Sequence, residues 1–409
     1  MTPEQAQGYL QNLLKMMLTK KASDLFLSND FPPSMKIDGK MTGVAPQKLG
    51  PVHTKALAYA MMNEKQRAEF EVEKECNFAI SPVGIGRFRV NIFMQQGHVG
   101  MVLRTITTQI PKFEELKLPP VLKEVCLTKR GLVILVGGTG SGKSTSLAAM
   151  IDYRNENSHG HIITIEDPVE YVHKNKNCLI THREVGADTN TWFAALKNTL
   201  RQAPDVILIG EIRDRETMEY AVAFAETGHL CMATLHANSA NQALDRIINF
   251  FPEERRAQLL MDLSLNLKAV VSQRLVPRAD GQGRRAAIEI LLNTPMVSDQ
   301  IFKGEVHALK ETMAKSKEAG MQTFDQALFD LHETGEVNYE DAMRNADSVS
   351  EFKLNVKLNG KRKVSDESRP KIELSVHSDA EEEKLEDKPT TGQASYTNSA
   401  PPPAVGAAA

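Results

Sequence analysis

The sequence predicts an α/β protein of more than one domain, and three observations support this prediction. The first is a G-x-x-x-x-G-K-S pattern at 137–144, with an apolar run ahead of it and a helical pattern behind it. The second is the alternation of apolar strands with helical patterns from about 121 to 290, which is typical of a mostly parallel sheet. The third is a group of short strands in the first hundred or so residues.

The composition indicates a globular protein and excludes several classes of function. The chain has 409 residues, of which 41% are hydrophobic and 25% are charged, so more than one domain is expected. A net charge of −3 and a single Trp give no basic or aromatic footprint for nucleic acid. We expect no signal peptide, and no apolar run approaches membrane-spanning length. Membrane association is therefore expected only through partners.

The four cysteines are far apart in the sequence. Cys76, Cys126, Cys178 and Cys231 form no C-x-x-C pair. We therefore expect buried, reduced thiols in a cytosolic protein rather than a zinc site built from such pairs.

An N-terminal α+β domain is expected over residues 1–106. A capping box at 2–5 begins a helix whose apolar positions are Leu10, Leu13, Leu14 and Met17. The further elements that we predict are strands at 24–27 and 34–37, a turn at Asp38-Gly39, one helix between Lys55 and Phe70, and strands at 77–80, 87–93 and 100–106.

Composition also places the remaining boundaries. Three prolines in 107–120 predict a connector, and 121–290 then form the α/β core. Residues 291–349 are predicted to be a helical C-terminal subdomain. The remainder, 350–409, contains a cluster of acidic residues and a Pro- and Ala-rich end, which predict a disordered tail that is not needed for folding. One helix face of the subdomain is expected to consist of Phe324, Ala327, Leu328 and Leu331.

The G-x-x-x-x-G-K-S pattern indicates a phosphate-binding loop. Its glycines let backbone N–H groups close around a phosphate, and the following helix adds its dipole. Lys143 is placed to reach the outer phosphates and the Ser144 hydroxyl to bind Mg²⁺. A glycine-rich turn without a ligand is the alternative, but the strand before the loop and the helix after it favour a nucleoside triphosphate. The predicted binding residues are Gly137, Gly138, Thr139, Gly140, Ser141, Gly142, Lys143, Ser144 and Thr145.

Carboxylates follow two of the predicted strands. Glu211 ends a buried strand and is a candidate for holding Mg²⁺, directly or through water, or for polarising the attacking water. Asp205 lies about 20 Å away along that strand and cannot contact the same ion. A second strand ends at Glu166 and Asp167, before Pro168. The alternatives are a solvated strand end for Glu211 and a turn-capping role for Asp167.

Histidines and arginines form a further set of candidates. A third strand ends at His236, with His229 just upstream, and a structural role for either is the alternative. Arg87 and Arg89 alternate with apolar residues on one strand, and Arg104 lies late on the next. A solvated face would explain them, as would approach to a γ-phosphate across an interdomain cleft.

Taken together, these motifs resemble those of the secretion-ATPase superfamily of hexameric motors, and specifically its pilus-retraction branch. The acidic box of that family is similar to residues 166–171, its Walker B motif to 207–214 and its His box to 225–236. The resemblance covers about 1–350 and implies a PAS-like N-terminal domain followed by a RecA-like ATPase domain. It also implies that ATP and Mg²⁺ are the cofactors. The catalytic residues that it implies are Glu211, Glu166, Arg89, Arg104, His229 and His236.

The same resemblance implies a place of action and partners. It predicts a homo-hexamer in the cytoplasm, peripheral to the inner membrane at the base of a type IV pilus. The expected partners are an inner-membrane platform protein and the main retraction motor, PilT, and no nucleic acid is expected.

Departures from the family patterns narrow the branch. The chain lacks the tetracysteine zinc element of pilus-extension and type II secretion members, and 95–98 lack the arginine that PilT usually has there. After Asn293-Thr294-Pro295, Ser298 and Phe302 stand where PilT has arginines. These differences indicate a paralogous retraction ATPase that is accessory to PilT. A coupling subunit with little turnover, an extension or secretion ATPase, and a helicase-like motor are the alternatives.

Overall fold

The computed structural model describes residues 1–37, 39–106 and 109–362. The N-terminal part contains a six-stranded antiparallel sheet in the order β3-β2-β1-β6-β5-β4. Its strands are β1 (Asp24–Leu27), β2 (Ser34–Ile37), β3 (Lys40–Gly43), β4 (Glu75–Ile80), β5 (Arg87–Gln95) and β6 (His98–Ile106). Its helices are α1 (Pro3–Thr19), α2 (Pro51–Met61) and α3 (Glu64–Glu73). Of the predicted Asp38-Gly39 turn, Asp38 lies outside the described residues.

The first helix forms as the sequence predicts. The Thr2 hydroxyl accepts a hydrogen bond from the Gln5 backbone N–H, and the Gln5 side chain accepts one from the Thr2 N–H. This capping box satisfies two backbone donors that a helix start leaves unpaired. The four predicted apolar positions are all buried in the core of the N-terminal sheet, which confirms that face.

The prediction of one helix between Lys55 and Phe70 is wrong, because the segment forms two helices. Met62 takes an extended conformation that ends α2. Asn63 then caps α3, and its side chain and that of Gln66 exchange hydrogen bonds with each other's backbone N–H at 2.9 Å. The Asn63-x-x-Gln66 pattern was the available signal for this break.

The second part of the chain contains a seven-stranded sheet in the order β13-β12-β7-β11-β10-β8-β9. All neighbours are parallel except β12 and β13. Its strands are β7 (Gly131–Val136), β8 (Gly160–Glu166), β9 (Cys178–Glu184), β10 (Val206–Ile209), β11 (Leu230–Leu235), β12 (Leu267–Pro277) and β13 (Arg284–Leu292). Its helices are α4 (Val121–Leu127), α5 (Lys143–Asn157), α6 (Trp192–Thr199), α7 (Arg215–Glu226), α8 (Ala240–Asn249) and α9 (Glu253–Asn266). The α/β fold class is confirmed.

The central strand β7 is buried on both faces. Leu132, Ile134 and Val136 pack into one hydrophobic cluster, whereas Val133 and Leu135 pack into a second cluster. Alternating side chains of a strand point to opposite faces, so the two clusters cover the two sides of the sheet. The loop after β7 is thereby fixed at a rigid strand end.

Helices complete the fold after β13. They are α10 (Pro295–Phe302), α11 (Leu309–Lys315), α12 (Phe324–Glu333), α13 (Tyr339–Asn345) and α14 (Val349–Asn359). Phe324, Ala327 and Leu328 are buried as predicted, and Phe324 and Leu328 share a cluster with Val276 of β12. The C-terminal helices therefore share a core with the edge of the large sheet.

The expectation of a disordered tail from residue 350 needs correction. The predicted tail starts at 350, but α14 spans this boundary and buries Phe352 and Val356 in the C-terminal cluster. The predicted connector 107–120 buries Phe113 and Leu118 against the second cluster of the large sheet. Residues 107–108 and 363–409 lie outside the described residues.

Two further observations concern the cysteines and the apolar character of the helices. Cys76, Cys126, Cys178 and Cys231 are buried free thiols, as expected. Among the helices that the structure describes, none has both the length and the apolar character that crossing a bilayer requires.

Candidate active site

The phosphate loop, 137–144, joins the end of β7 to the start of α5. Gly140 and Gly142 take φ angles of 75° and 87°, in the left-handed region that favours glycine. Lys143 is buried at the start of the helix, and its Nζ donates to the carbonyl oxygens of Gly137 and Gly138 at 2.8 and 3.0 Å. The ammonium therefore lies directly over the loop, where the N–H groups of a helix start attract phosphate.

The charge of Lys143 is balanced across the cleft. Burial lowers the pKa of Lys143, whereas the negative charges of Glu211 and Glu170 raise it. These two carboxylates belong to different loops, so the Lys143 ammonium interacts with the loop after β8 and with the loop after β10.

Gln273 supports the loop from behind and was missed by the sequence analysis. Its Nε2 donates to the Ser141 carbonyl oxygen and its Oε1 accepts from the Ser146 hydroxyl, each at 2.8 Å. A Cβ on Gly137 or Gly142 would lie 2.6 Å from an atom of Gln273, so both positions need glycine. Since Gln273 lies on β12, more than a hundred residues along the chain, no local pattern could reveal this contact.

Three strand ends converge on the phosphate loop. Glu166 is the last residue of β8, Glu211 lies two residues after β10 and His236 directly follows β11, and all three line one cleft with Lys143 and Ser144. The cleft has a volume of about 350 Å³. Because parallel strands end at the same edge of a sheet, this convergence is the arrangement expected for a ligand site.

Glu211 is held in a fixed position by two neighbours. Its Oε2 accepts from Arg213 Nε at 2.7 Å, and its Oε1 lies 3.0 Å from His236 Nε2. Burial and the charge of Lys143 lower the pKa of His236, against the charge of Glu211, which raises it.

Glu166 has a pKa that is shifted by its surroundings. Burial raises the pKa of Glu166 to about 7, and the charge of Glu170 adds to this effect. The Glu170 backbone N–H lies 3.4 Å from Glu166 Oε2. A carboxylate with a pKa near neutrality and a place in a nucleotide cleft is suited to accept a proton.

The three arginines of the N-terminal sheet reach different partners. Arg89 lines the cleft. Arg87 forms an ion pair with Glu184, which also accepts from the Val169 backbone N–H at 3.1 Å. Arg104 lies opposite Arg89 across the β5–β6 pair, but its Nε donates to Asp24 Oδ1 at 2.7 Å within the N-terminal sheet.

Two of the predicted catalytic residues are not brought to this cleft. Arg104 is held by Asp24 and does not line it. His229 precedes β11, whereas His236 follows it, so they lie about 20 Å apart at opposite edges of the sheet. The His229 ring instead contacts the Thr227 hydroxyl and the Phe224 carbonyl oxygen.

Other predicted residues can be placed as well. Asp167 lines the cleft beside Glu166. Asp205 accepts from the His161 backbone N–H at the far edge of the sheet, so it is remote from the site as expected. The Thr145 hydroxyl lies 2.9 Å from the Tyr171 hydroxyl, which ties α5 to the loop after β8.

The donors present fit Mg²⁺ held largely by phosphate oxygens. The Ser144 hydroxyl and the Glu211 carboxylate are oxygen donors in the cleft, and Mg²⁺ prefers such donors together with water and phosphates. In the part of the chain that the structure describes, no group of three or more His, Cys, Asp or Glu residues could hold a metal by itself.

This fold and this cleft define a P-loop ATPase of the α/β class. The chain belongs to the type II/IV secretion system protein family, whose model matches residues 5–381. It is 62% identical to the type IV pilus ATPase PilU of Pseudomonas aeruginosa over 85% of this chain and 91% of that protein. It is 42% identical to the type IV pilus retraction ATPase PilT of the same organism, over 84% of this chain and 99% of that protein.

A solved structure agrees with these sequence relatives. The crystal structure of the pilus retraction motor PilT with bound ADP matches 84% of this chain and 98% of its own, with a TM-score of 0.79 and 40% identity. The predicted resemblance to the retraction branch, and to the PilT paralogue PilU within it, is confirmed.

Proposed function

We propose that this chain is a Mg²⁺-dependent, ATP-hydrolysing motor that supports type IV pilus retraction and twitching motility as an accessory to PilT. The convergence of Lys143, Glu166 and Glu211 in one cleft carries the ATPase part of the proposal. The similarity to PilU and PilT carries the pilus part.

The residues of the cleft divide the work of hydrolysis. The N–H groups of 137–144 and Lys143 bind the phosphates, and Arg89 neutralises charge on the γ-phosphate. Ser144 and Glu211 hold Mg²⁺, the latter directly or through water. When bound, the ion draws charge from the phosphate oxygens that it contacts.

Glu166 is the group that we assign to the attacking water. Its pKa of about 7 matches the pH at which a general base works best, and it is not held by a cationic side chain at hydrogen-bonding distance among the described contacts. Glu211, by contrast, already accepts from Arg213 and contacts His236. The geometry thus favours Glu166 for proton acceptance and Glu211 for the ion.

The proposed domains and assembly follow from the family. We assign a PAS-like fold to the N-terminal sheet and a RecA-like fold to the large sheet, and we expect a homo-hexamer. The ring would act in the cytoplasm at the inner membrane, bound to a platform protein at the pilus base. His229 and Arg104, which lie away from the cleft of their own chain, remain candidates for contacts between copies.

The accessory role rests on α10. The Ser298 hydroxyl donates to the Ser264 carbonyl oxygen of α9 at 2.7 Å, and Phe302 is 56% exposed. PilT has arginines at both positions, and neither serine nor phenylalanine can form the bidentate contacts of a guanidinium. We therefore propose that this face of α10 lacks a contact that independent retraction requires.

Two measurements test the proposal. The purified protein should hydrolyse ATP without PilT, and lack of turnover in its absence would favour a coupling subunit instead. In cells that lack PilT, this chain alone should not retract pili under load. Retraction under load in that strain would make it an independent motor, and loss of pilus assembly on its deletion would favour an extension ATPase.

A further inference from the structure

A histidine outside the family motifs lies next to the catalytic cleft. Thr164 and His182 are direct neighbours in the parallel pair of β8 and β9. The Thr164 hydroxyl and His182 Nδ1 are 2.9 Å apart. Thr164 is buried, and the His182 side chain is only 17% exposed. Glu166 stands two residues after Thr164, on the same face of the strand.

The hydrogen bonds determine which ring nitrogen of His182 carries the proton. The His173 backbone N–H points to His182 Nε2 at 3.1 Å. A backbone N–H can only donate, so Nε2 must be the acceptor. In the neutral ring the proton is then on Nδ1, and His182 donates to the Thr164 hydroxyl oxygen.

The Thr164 hydroxyl is then free to donate a hydrogen bond to the Glu166 carboxylate. The Thr164 hydroxyl lies on the same strand face as Glu166, two residues away, and it lowers the pKa of Glu166 against the larger effect of burial. With its oxygen occupied by His182, the hydroxyl has one direction left in which to donate. The chain of donors runs from the His173 N–H through His182 and Thr164 to Glu166.

We infer that His182 is a positioning residue for hydrolysis, because its Nδ1–H orients the Thr164 hydroxyl and the hydroxyl fixes the rotation of the Glu166 carboxylate. This inference rests on the role of Glu166 in the proposed function. The Thr164 hydroxyl and the Glu170 N–H each take up a lone pair of the Glu166 carboxylate. The remaining lone pairs are then available to a water in the cleft.

The surroundings keep the His182 ring neutral, as this chain of donors requires. Burial, together with the charges of His173 and Arg87, lowers the pKa of His182 to about 4, against a backbone hydrogen bond with His173 and the charge of Asp188, which raise it. The His173 ring stacks on it with centroids 5.8 Å apart. Glu166 Oε1 lies 3.9 Å from His182 Nδ1, too far for a direct hydrogen bond, so Thr164 is the connection.

Paired substitutions separate the two hydrogen bonds of the ring. His182→Asn places an amide near Nδ1 and keeps a donor for Thr164, whereas His182→Gln reaches the Nε2 position and keeps only the acceptor for the His173 N–H. Thr164→Ser keeps the hydroxyl, and Thr164→Val removes it at nearly constant volume. We expect His182→Gln and Thr164→Val to lower kcat roughly tenfold with KM unchanged, and Asn and Ser to retain most of kcat.

His161 provides a matched control on the same two strands. Its Nε2 lies 2.8 Å from the Thr181 hydroxyl, so it forms the same kind of cross-strand pair at the opposite edge of the sheet. His161→Gln should leave kcat and KM unchanged. Thermal unfolding of all variants shows whether each is folded.

A measurement on the resting protein keeps this inference separate from the proposed function. Nitrogen-15 ring labelling of histidine, with the His182 signal assigned by its absence in His182→Gln, reports which nitrogen carries the proton. A neutral ring protonated on Nδ1 supports the inference even if turnover is never found, and that failure would refute the ATPase function alone. Protonation on Nε2, or equal kcat for the folded Asn and Gln variants, would overturn the role of His182.

Discussion

The two sheets of this protein use charged side chains in different ways. In the parallel part of the large sheet, Glu166, Glu211 and His236 each lie at or just after the carboxyl end of a buried strand, and all three line one cleft. In the antiparallel sheet, Arg89 and Arg104 lie side by side but reach different surroundings. Parallel strands all end on the same side of a sheet, so residues at their carboxyl ends lie close together. Neighbouring residues of an antiparallel pair share no such end, and their surroundings depend on the residues that pack against each of them.

An ion pair of Arg87 joins the antiparallel N-terminal sheet to the seven-stranded sheet. It pairs with Glu184 at the end of β9, and Glu184 holds the Val169 N–H in the loop that follows Glu166. From the sequence, Arg87 could be assigned to a solvated face. In the structure, its ion pair with Glu184 supports the loop that follows Glu166, the proposed base.

The largest effect is expected at the phosphate loop. Lys143→Ala should lower kcat roughly a hundredfold or more and weaken ATP binding, because among the residues that the structure describes no other ammonium donates to the loop carbonyls. Lys303→Ala is the control, since the exposed Lys303 side chain pairs with the exposed Asp299 side chain of α10. Steady-state hydrolysis and nucleotide titration measure both, and near wild-type hydrolysis by Lys143→Ala would refute the loop assignment.

The next comparison is between the two cross-strand arginines. Arg89→Ala should lower kcat roughly tenfold and change nucleotide affinity little, because a group that meets the γ-phosphate acts mainly in the transition state. Arg104→Ala should have a smaller effect, since its partner is Asp24. Equal losses of kcat in hydrolysis assays would show that Arg104 also reaches a nucleotide, in its own or another copy.

The protonation of Glu166 should appear in the pH dependence. Burial raises its pKa to about 7, and a general base must be ionised, so kcat should fall as pH decreases through 7. Between about pH 8 and about pH 6 the loss should be roughly tenfold. Hydrolysis rates across this range, on protein checked for folding at each pH, measure it. A flat profile would argue against Glu166 as the proton acceptor.

The smallest effect is expected from removing the end of the chain. A chain cut after Arg362 should keep wild-type stability and turnover. A cut after residue 350 should cost roughly 3 kcal/mol or more of the free energy of unfolding, because it removes the buried side chains of Phe352 and Val356. Thermal and denaturant unfolding compare the two, and equal stability would contradict the packing of α14.

The sequence predicted the residues that line the cleft better than the domain boundaries and the long-range contacts that support the cleft. Strand ends, the phosphate loop and helix caps are local patterns, and Glu166, Glu211 and His236 could be found from them. Gln273 and the Arg87–Glu184 pair depend on residues about a hundred positions apart, for which no local pattern exists. The helix α14 was missed because its apolar residues alternate with polar ones from 352 to 358, which is not a helical period.

In the proposed function, Glu166 activates water while Glu211 holds the ion. The most direct measurement is single-turnover hydrolysis of saturating ATP by Glu166→Gln and Glu211→Gln across a series of Mg²⁺ concentrations. Glu166→Gln should hydrolyse poorly at every concentration. Glu211→Gln should recover part of its rate as Mg²⁺ increases. Recovery of Glu166→Gln by Mg²⁺, with Glu211→Gln inactive throughout, would show that the two roles are reversed.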